Sequence, residues 1–263
     1  MRARYRGGFS GFTLIELLVV IAIIGLLLAV LVPALGKAKE QAREVVCRAH
    51  LRQWGVIFSL YLEDHDNRFM PGIDEDWQTG RYSWICTLMP YYDTPEIRLC
   101  PKARLTEAQG GRPPHIAWDL TLANEGELSA IKDPQYKIGS YGINWWVNDS
   151  DNDAHTDLDV RLKWRTGNQK NSMMIPVLSD AGFMLARPQA SDDPPPHDGL
   201  FAYAAGARGM DRVCTNRHKG GVNILYMDWT VRKVGLKDLW RQEWHRNYVP
   251  QEHVWPEWME KAR

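Results

Sequence analysis

The chain has 263 residues, room for one sizeable domain or two small ones, and its 32 Lys plus Arg balance 32 Asp plus Glu, a formal net charge of zero. That balance leaves no broad basic excess for a nucleic-acid partner. A mean hydropathy of −0.40 excludes a polytopic membrane protein, while 44% hydrophobic residues, with 12 Trp and 10 Tyr, supply a packed core.

Residues 1–11, MRARYRGGFSG, carry Arg2, Arg4 and Arg6 and no acid. Phe12 to Leu35 hold one charge, Glu16, and Leu17 to Gly36 is an uninterrupted run of 20 uncharged residues. At about 1.5 Å per residue such a run reaches roughly 30 Å, the hydrocarbon thickness of a bilayer. It is a membrane-spanning helix or an export signal. A secretory signal has a shorter apolar region, about 7–15 residues, before a small-x-small site; Ala34-Leu35-Gly36 has the form of such a site. Glu16 discriminates. A carboxylate at membrane depth costs up to about 2.5–3.5 kcal/mol, less toward the interface, and calls for a partner. The plain alternative places Glu16 in the headgroup layer.

Gly11-Phe12-Thr13-Leu14-Ile15-Glu16, followed by the apolar run to Ile24, resembles the cleavage and methylation segment of type IV prepilins and type II secretion pseudopilins. In that family a short basic leader ends in Gly, the first mature residue is aromatic, and a Glu follows four positions on. The resemblance implies cutting between Gly11 and Phe12 by a prepilin peptidase, which also N-methylates Phe12. It further implies that Glu16 pairs with the new amino group of a neighbouring subunit's Phe12, so that two charges costly in lipid neutralise one another. Pro33 stands where the family often has a helix-kinking proline. Lys37, Lys39, Arg43, Arg48 and Arg52 follow the span and outnumber the leader's arginines, so charge alone does not orient it. The resemblance implies a single pass through the inner (cytoplasmic) membrane, N-terminus cytoplasmic and head periplasmic or in an extracytoplasmic filament. Its partners would be other pilin-like subunits and a secretion or pilus assembly platform.

Beyond the span nothing breaks a helix before Asp64, Asp66 and Asn67. Cys47, Leu51, Trp54, Phe58 and Leu62 fall on one stripe, with Lys39, Arg43, Arg52 and Glu63 opposite. One helix of about 50 residues is expected, near 75 Å.

Residues 66–263 read as a β-rich globular head, with Gly and Pro punctuating short apolar runs. Arg81 to Pro101 is expected as packed loop and strand, Gly139 to Asn144 as strand or turn entry, and Met173 to Ser179 as a buried strand ending at Asp180. Pro188 to Gly199, PQASDDPPPHDG, reads as an exposed loop. Gly221 to Met227 and Thr230 to Val234 form the expected hairpin around Asp228-Trp229. Residues 236–248 space Leu236, Trp240, Trp244 and Tyr248 four apart, the pattern of a short amphipathic helix. The expected organisation is leader 1–11, assembly helix 12–35, its amphipathic continuation 36–65, and head 66–263, an α+β pilin-like fold.

The run from Arg217 to Asp228 resembles the closing motif of one pilin-like subgroup, abundant in Planctomycetes, Verrucomicrobia and Lentisphaerae. Its pattern is His, nine residues, then Asp-Gly; here His218 and Asp228 match and Trp229 replaces the glycine. Arg48 to Tyr61, Leu99-Cys100-Pro101 and Ser140 to Asn144 are similar to other segments of that subgroup. A two-residue I′ turn wants positive φ at both positions, which Trp resists, so a wider turn is expected.

Chemistry elsewhere is sparse. Asp149, Asp151 and Asp153, with Asp157 and Asp159, could offer oxygen ligands to calcium, but Ala154 and Val160 break the EF-hand pattern and a solvated acidic loop is the plainer reading. His218 and Asp228 as an acid–base or metal pair lack a third group, and local hydrogen bonding explains both. Cys47, Cys86, Cys100 and Cys214 form no C-x-x-C pair and permit three full disulfide pairings, or none. No nucleophile elbow, H-E-x-x-H or Walker loop occurs. The expectation is a filament subunit without enzymatic activity or cofactor; a membrane-anchored adhesin with a Trp-rich head and a secreted enzyme released near Gly36 are the alternatives.

Overall fold

The computed structural model describes residues 12–71, 83–121, 134–151, 160–198 and 209–262. The expected leader, 1–11, and the acids Asp153, Asp157 and Asp159 lie outside the described residues. The architecture is α+β, a long N-terminal helix and a β-rich head. Helix α1, Leu14–Asp64, runs 51 residues with Pro33 inside it. The chain divides into two compact units, 1–42 and 43–263.

In the first unit the large apolar side chains of α1, from Leu14 to Leu35, are exposed on every face. A helix apolar all round belongs in lipid or against other helices. The second unit takes in the last part of α1, where Cys47, Leu51, Trp54, Phe58 and Leu62 are buried in the head core. The helix ends as its residue types dictate. Asp66 and Asn67 take left-handed φ values of 52° and 61°, and the Asn67 amide donates to the Leu62 carbonyl at 2.7 Å, a helix stop that short polar side chains tolerate.

After α1 come helix α2, Trp84–Leu88, and two 3₁₀ turns, Met89–Tyr91 and Pro95–Arg98. The described part of the expected loop-and-strand region is therefore short helical turns joined by loop, with no strand among the described residues. Ser83 caps α2 by accepting the Cys86 amide, and prolines open both 3₁₀ turns, where a missing N–H costs nothing. Strands β1, Trp118–Asp119, and β2, Ile138–Gly139, form a small antiparallel ladder. The main sheet contains β3, Tyr141–Asn144; β4, Pro176–Asp180; β5, Leu185–Ala186; β6, Gly221–Tyr226; and β7, Val231–Gly235. Its order is β5-β3-β4-β6-β7, antiparallel except for the β3–β5 pair. Strands β4 and β6 are buried along their whole length. Helix α3, Glu257–Lys261, closes the chain.

Three expectations need correction. The strand begins at Pro176, not Met173, because Ser172–Met174 forms a 3₁₀ turn. Residues 236–248 are helical only over Lys237–Arg241; Gln242 is extended, its side-chain Nε2 donating to the Asp238 carbonyl and its side-chain oxygen accepting from the Tyr226 hydroxyl, each at 2.8 Å. Leu236, Trp240, Trp244 and Tyr248 are nonetheless all buried. The proline-rich segment is irregular, but its described part is not simply exposed. Trp146, Trp240 and Trp258 donate indole N–H bonds to the carbonyls of Pro188, Asp192 and Pro195, and Pro188, Ala190 and Pro195 are buried.

The β6–β7 hairpin resolves the Trp229 question. Tyr226 and Thr230 close a three-residue loop, with the Trp229 amide on the Tyr226 carbonyl at 2.9 Å and the Tyr226 amide on the Thr230 carbonyl at 2.9 Å. The turn is wider than two residues, yet Trp229 still adopts a φ of 63°, the left-handed position of such a loop. Its ring lies parallel to Phe58 with centroids 6.2 Å apart, and this packing offsets the strain. Gly55 lets the helix approach: a Cβ there would meet Leu225 at 3.2 Å and Trp229 at 3.4 Å.

Candidate functional site

Two places carry chemistry. The first is the start of α1. The Leu17 amide donates to the Thr13 carbonyl at 3.2 Å, which puts Thr13 at the N-cap and Glu16 at the third helical position. The Thr13 amide and hydroxyl donate to Glu16 Oε2 at 2.8 and 2.7 Å, and the Glu16 amide donates back to Thr13 Oγ1 at 3.3 Å. This is a capping box. Thr13-x-x-Glu16 announces it in the sequence, and reading Glu16 only as an assembly residue missed it. The box ties the helix start beside Phe12, which is 68% exposed. From there the helix is long and apolar enough to cross a bilayer. Gly11, the other half of the expected cleavage pair, lies outside the described residues.

Residues 6–32 match the family model described as the prokaryotic N-terminal methylation motif. The start of the chain carries that motif. The chain is 46% identical over 58 residues to the "Type IV wide pilus major component PilA4" of Thermus thermophilus. The aligned stretch is 22% of this chain and 44% of that protein, so this chain spans less than half the length of the relative it matches. No solved structure matches.

The second place is in the head core, where four segments converge. Cys47 comes from α1, Cys100 follows the Pro95–Arg98 turn, Asp180 ends β4, and His218 precedes β6. All four side chains are buried and their ligand atoms lie within 4.8 Å of one another. His218 Nε2 is 3.1 Å from Asp180 Oδ2 and 3.4 Å from Cys100 Sγ. Cys47 Sγ is 3.7 Å from Asp180 Oδ1. Local structure holds each group. The Cys100 amide donates to Ser140 Oγ at 2.5 Å. A left-handed turn at Lys219 and Gly220, φ 49° and 79°, brings the His218 amide onto the Gly221 carbonyl at 3.1 Å. Asp180 sits opposite Tyr141 in the β3–β4 register and accepts the Asn223 amide at 2.8 Å. The Tyr141 hydroxyl and the Asn223 side-chain amide both donate to Cys47 Sγ at 3.2 Å.

The electrostatics follow from burial. Burial pushes the Asp180 carboxyl up, but the charge and hydrogen bond of His218 and the charge of Arg217 outweigh it and hold it below the ordinary range. Arg217 Nη1 stands 3.9 Å from Asp180, and its guanidinium donates to the carbonyls of Pro114, Ser140 and Ile116. Burial lowers His218, and Asp180 more than reverses this, raising it to about 9. Burial drives the Cys47 thiol upward. It acts the same way on Cys100, where the hydrogen bond with Cys47 and the presence of His218 prevail and lower the thiol to about 7.

The other candidates fall elsewhere. Asp149 is held by Arg68 and by Arg165, whose Nε lies 2.6 Å away, and Asp151 is bonded to Arg165 as well; these carboxylates are occupied by guanidinium groups. Asp228 does not meet His218. Its Oδ1 accepts the Thr230 amide at 3.0 Å and hydroxyl at 2.6 Å within the hairpin loop. All four cysteines are free thiols, Cys86 half-buried and Cys214 buried. Asp180, Tyr141, Asn223 and Arg217 escaped the sequence reading. A carboxylate closing the apolar run MMIPVLS was the available signal, since a buried strand end seldom carries an unpartnered acid. The tryptophans described in the head are buried or half-buried, packed into its core.

Proposed function

We propose that this chain is a pilin-like structural subunit of an extracytoplasmic filament, not an enzyme. A prepilin peptidase would cut between Gly11 and Phe12 and methylate Phe12, leaving α1 to span the inner membrane once, N-terminus inside. Assembly would then draw the helix into a bundle with other pilin-like subunits on a secretion or pilus platform. The observation that carries this reading is the capped, fully exposed apolar start of α1, together with the methylation-motif match over residues 6–32. Both Thr13 bonds fall on Glu16 Oε2, which among the described residues leaves Oε1 for the amino group of Phe12 on a neighbouring subunit. In lipid each of those charges alone is costly, and pairing sets the axial stagger. The likeness to a wide-pilus major component favours a pilus, and the large head favours a minor or specialised position within one.

The test is to express the full chain with and without a prepilin peptidase and to read the N-terminus of the product by mass spectrometry. A product beginning at methylated Phe12 is expected. A product beginning near Lys37 would mean removal of the helix by a signal peptidase and would overturn the proposal.

A further inference from the structure

We propose that Cys47, Cys100, Asp180 and His218 form a tetrahedral site for one zinc-class divalent metal ion, which fastens the head-packed part of α1 to the end of β4 and the turn before β6. Two thiols, an imidazole and a carboxylate are the donors that zinc takes, whereas calcium and magnesium take oxygen alone. The geometry suits such an ion. With metal–sulfur bonds of about 2.3 Å and metal–nitrogen or –oxygen bonds of about 2.0–2.2 Å, tetrahedral ligand atoms stand roughly 3.3–3.8 Å apart. Through Asp180 Oδ2 the separations are 3.1 Å to His218 and 3.9 Å to Cys47, with 3.4 Å for Cys100–His218 and all four ligand atoms within 4.8 Å of one another, so small shifts bring them to that spacing around an ion.

Charge balance agrees. Two thiolates, a carboxylate and a neutral imidazole around a divalent ion leave one negative charge, and the buried Arg217 beside Asp180 supplies the positive one. The surroundings are built for a thiolate at Cys47: the Tyr141 hydroxyl and Asn223 amide both point donors at its sulfur. Outer contacts of this kind orient metal ligands and tune them. His218 Nδ1 has no hydrogen-bond partner among the described residues; this holds for a metal-bound imidazole and for an ion pair with Asp180 alike, and favours neither. A Cys47–Cys100 disulfide is the rival use of the cluster. It would occupy two of the four groups and leave Asp180 and His218 as a buried ion pair beside it.

The site is independent of the filament reading, and its test uses the unmodified full chain in detergent. Purified without chelator, the protein should carry one zinc per chain by elemental analysis. Replacement with cobalt(II) should give the intense visible bands and thiolate charge-transfer absorption of a tetrahedral sulfur-ligated ion. Chelation should lower the thermal midpoint of the head, since metal binding is coupled to folding. Asn223→Ala, outside the ligand set, should weaken zinc binding by about 10–100-fold, and Cys100→Ser should weaken the charge-transfer band, leaving the share that Cys47 contributes. An intact mass short by two hydrogens, mapped to a Cys47–Cys100 bond, would overturn the site. So would a folded, fully reduced chain that takes up neither zinc nor cobalt when they are offered.

Discussion

The two stretches of α1 share one helix and obey opposite rules. From Leu14 to Leu35 apolar side chains cover every face and none is buried; from Cys47 to Leu62 one face is buried in the head core, while Val56 and Leu60 stay exposed on the other side. Among the described residues of its own unit nothing buries the first stretch, and its burial waits for lipid or other subunits. The second is fixed by tertiary contacts: Trp54 donates its indole N–H to the Ile97 carbonyl at 2.9 Å and meets Trp84 and Tyr92 edge-on. A single secondary structure thus serves two solvents, and the division between them follows composition rather than helix propensity.

The sharpest way to break that comparison is to shorten one side chain on each side of it. Trp54→Ala should cost the head about 3–5 kcal/mol, while Leu26→Ala should leave head unfolding within about 0.5 kcal/mol of wild type. Denaturant titration followed by tryptophan fluorescence reads both, and equal effects would show that the stretches are not separate.

Next in size is Trp229→Gly. Glycine relieves the left-handed backbone at φ 63° but loses the stack on Phe58. The packing loss is the larger, and a net destabilisation of about 1–2 kcal/mol is expected by thermal unfolding. A more stable variant would mean that the strain, not the stack, dominates.

At the start of α1 two functions of one residue can be separated. Thr13→Ala removes the cap at about 1 kcal/mol of local helix stability, read as faster amide exchange in the first turn, with assembly preserved. Glu16→Gln keeps hydrogen-bonding capacity and removes the charge; it should stop incorporation into filaments while leaving head unfolding unchanged. If Thr13→Ala stops assembly and Glu16→Gln does not, capping rather than charge pairing is the essential role.

The smallest effect expected is a pH slope on the head alone. Burial depresses His50, against the bond to the Leu99 carbonyl and with help from Arg104, and burial also depresses His245. The unfolded chain takes these protons near the ordinary histidine value of 6.5. The unfolded state therefore binds more protons, and stability falls as pH drops below that value. His218, raised to about 9, acts in the other direction in the metal-free chain: its contribution is present below 6.5 and fades as pH rises through about 9. Asp192 and Asp211, pushed up by burial, oppose the slope at lower pH. The double variant His50→Gln/His245→Gln should flatten the acid limb of thermal midpoint against pH; an unchanged limb would assign it to other groups.

Local patterns carried the parts of the fold that local physics controls. The stripe on α1, the Asp66–Asn67 stop and the β6–β7 hairpin were readable because periodicity and turn chemistry act within a few residues. The Pro188–Gly199 run misled for a physical reason: its composition forbids regular structure but says nothing of the three indoles that cover its carbonyls. Four-residue aromatic spacing after Leu236 likewise reported burial, not helix, because Gln242 finds better partners in Tyr226 and Asp238.

By itself the amino-acid order determined the membrane-length helix, its charged start and the β-rich character of the head, since each depends on residue type and spacing along one segment. Only the tertiary structure brought Cys47, Cys100, Asp180 and His218 to one point. Residues so far apart in the chain share no spacing that a sequence could show; the strand register and helix packing that join them are properties of the whole head.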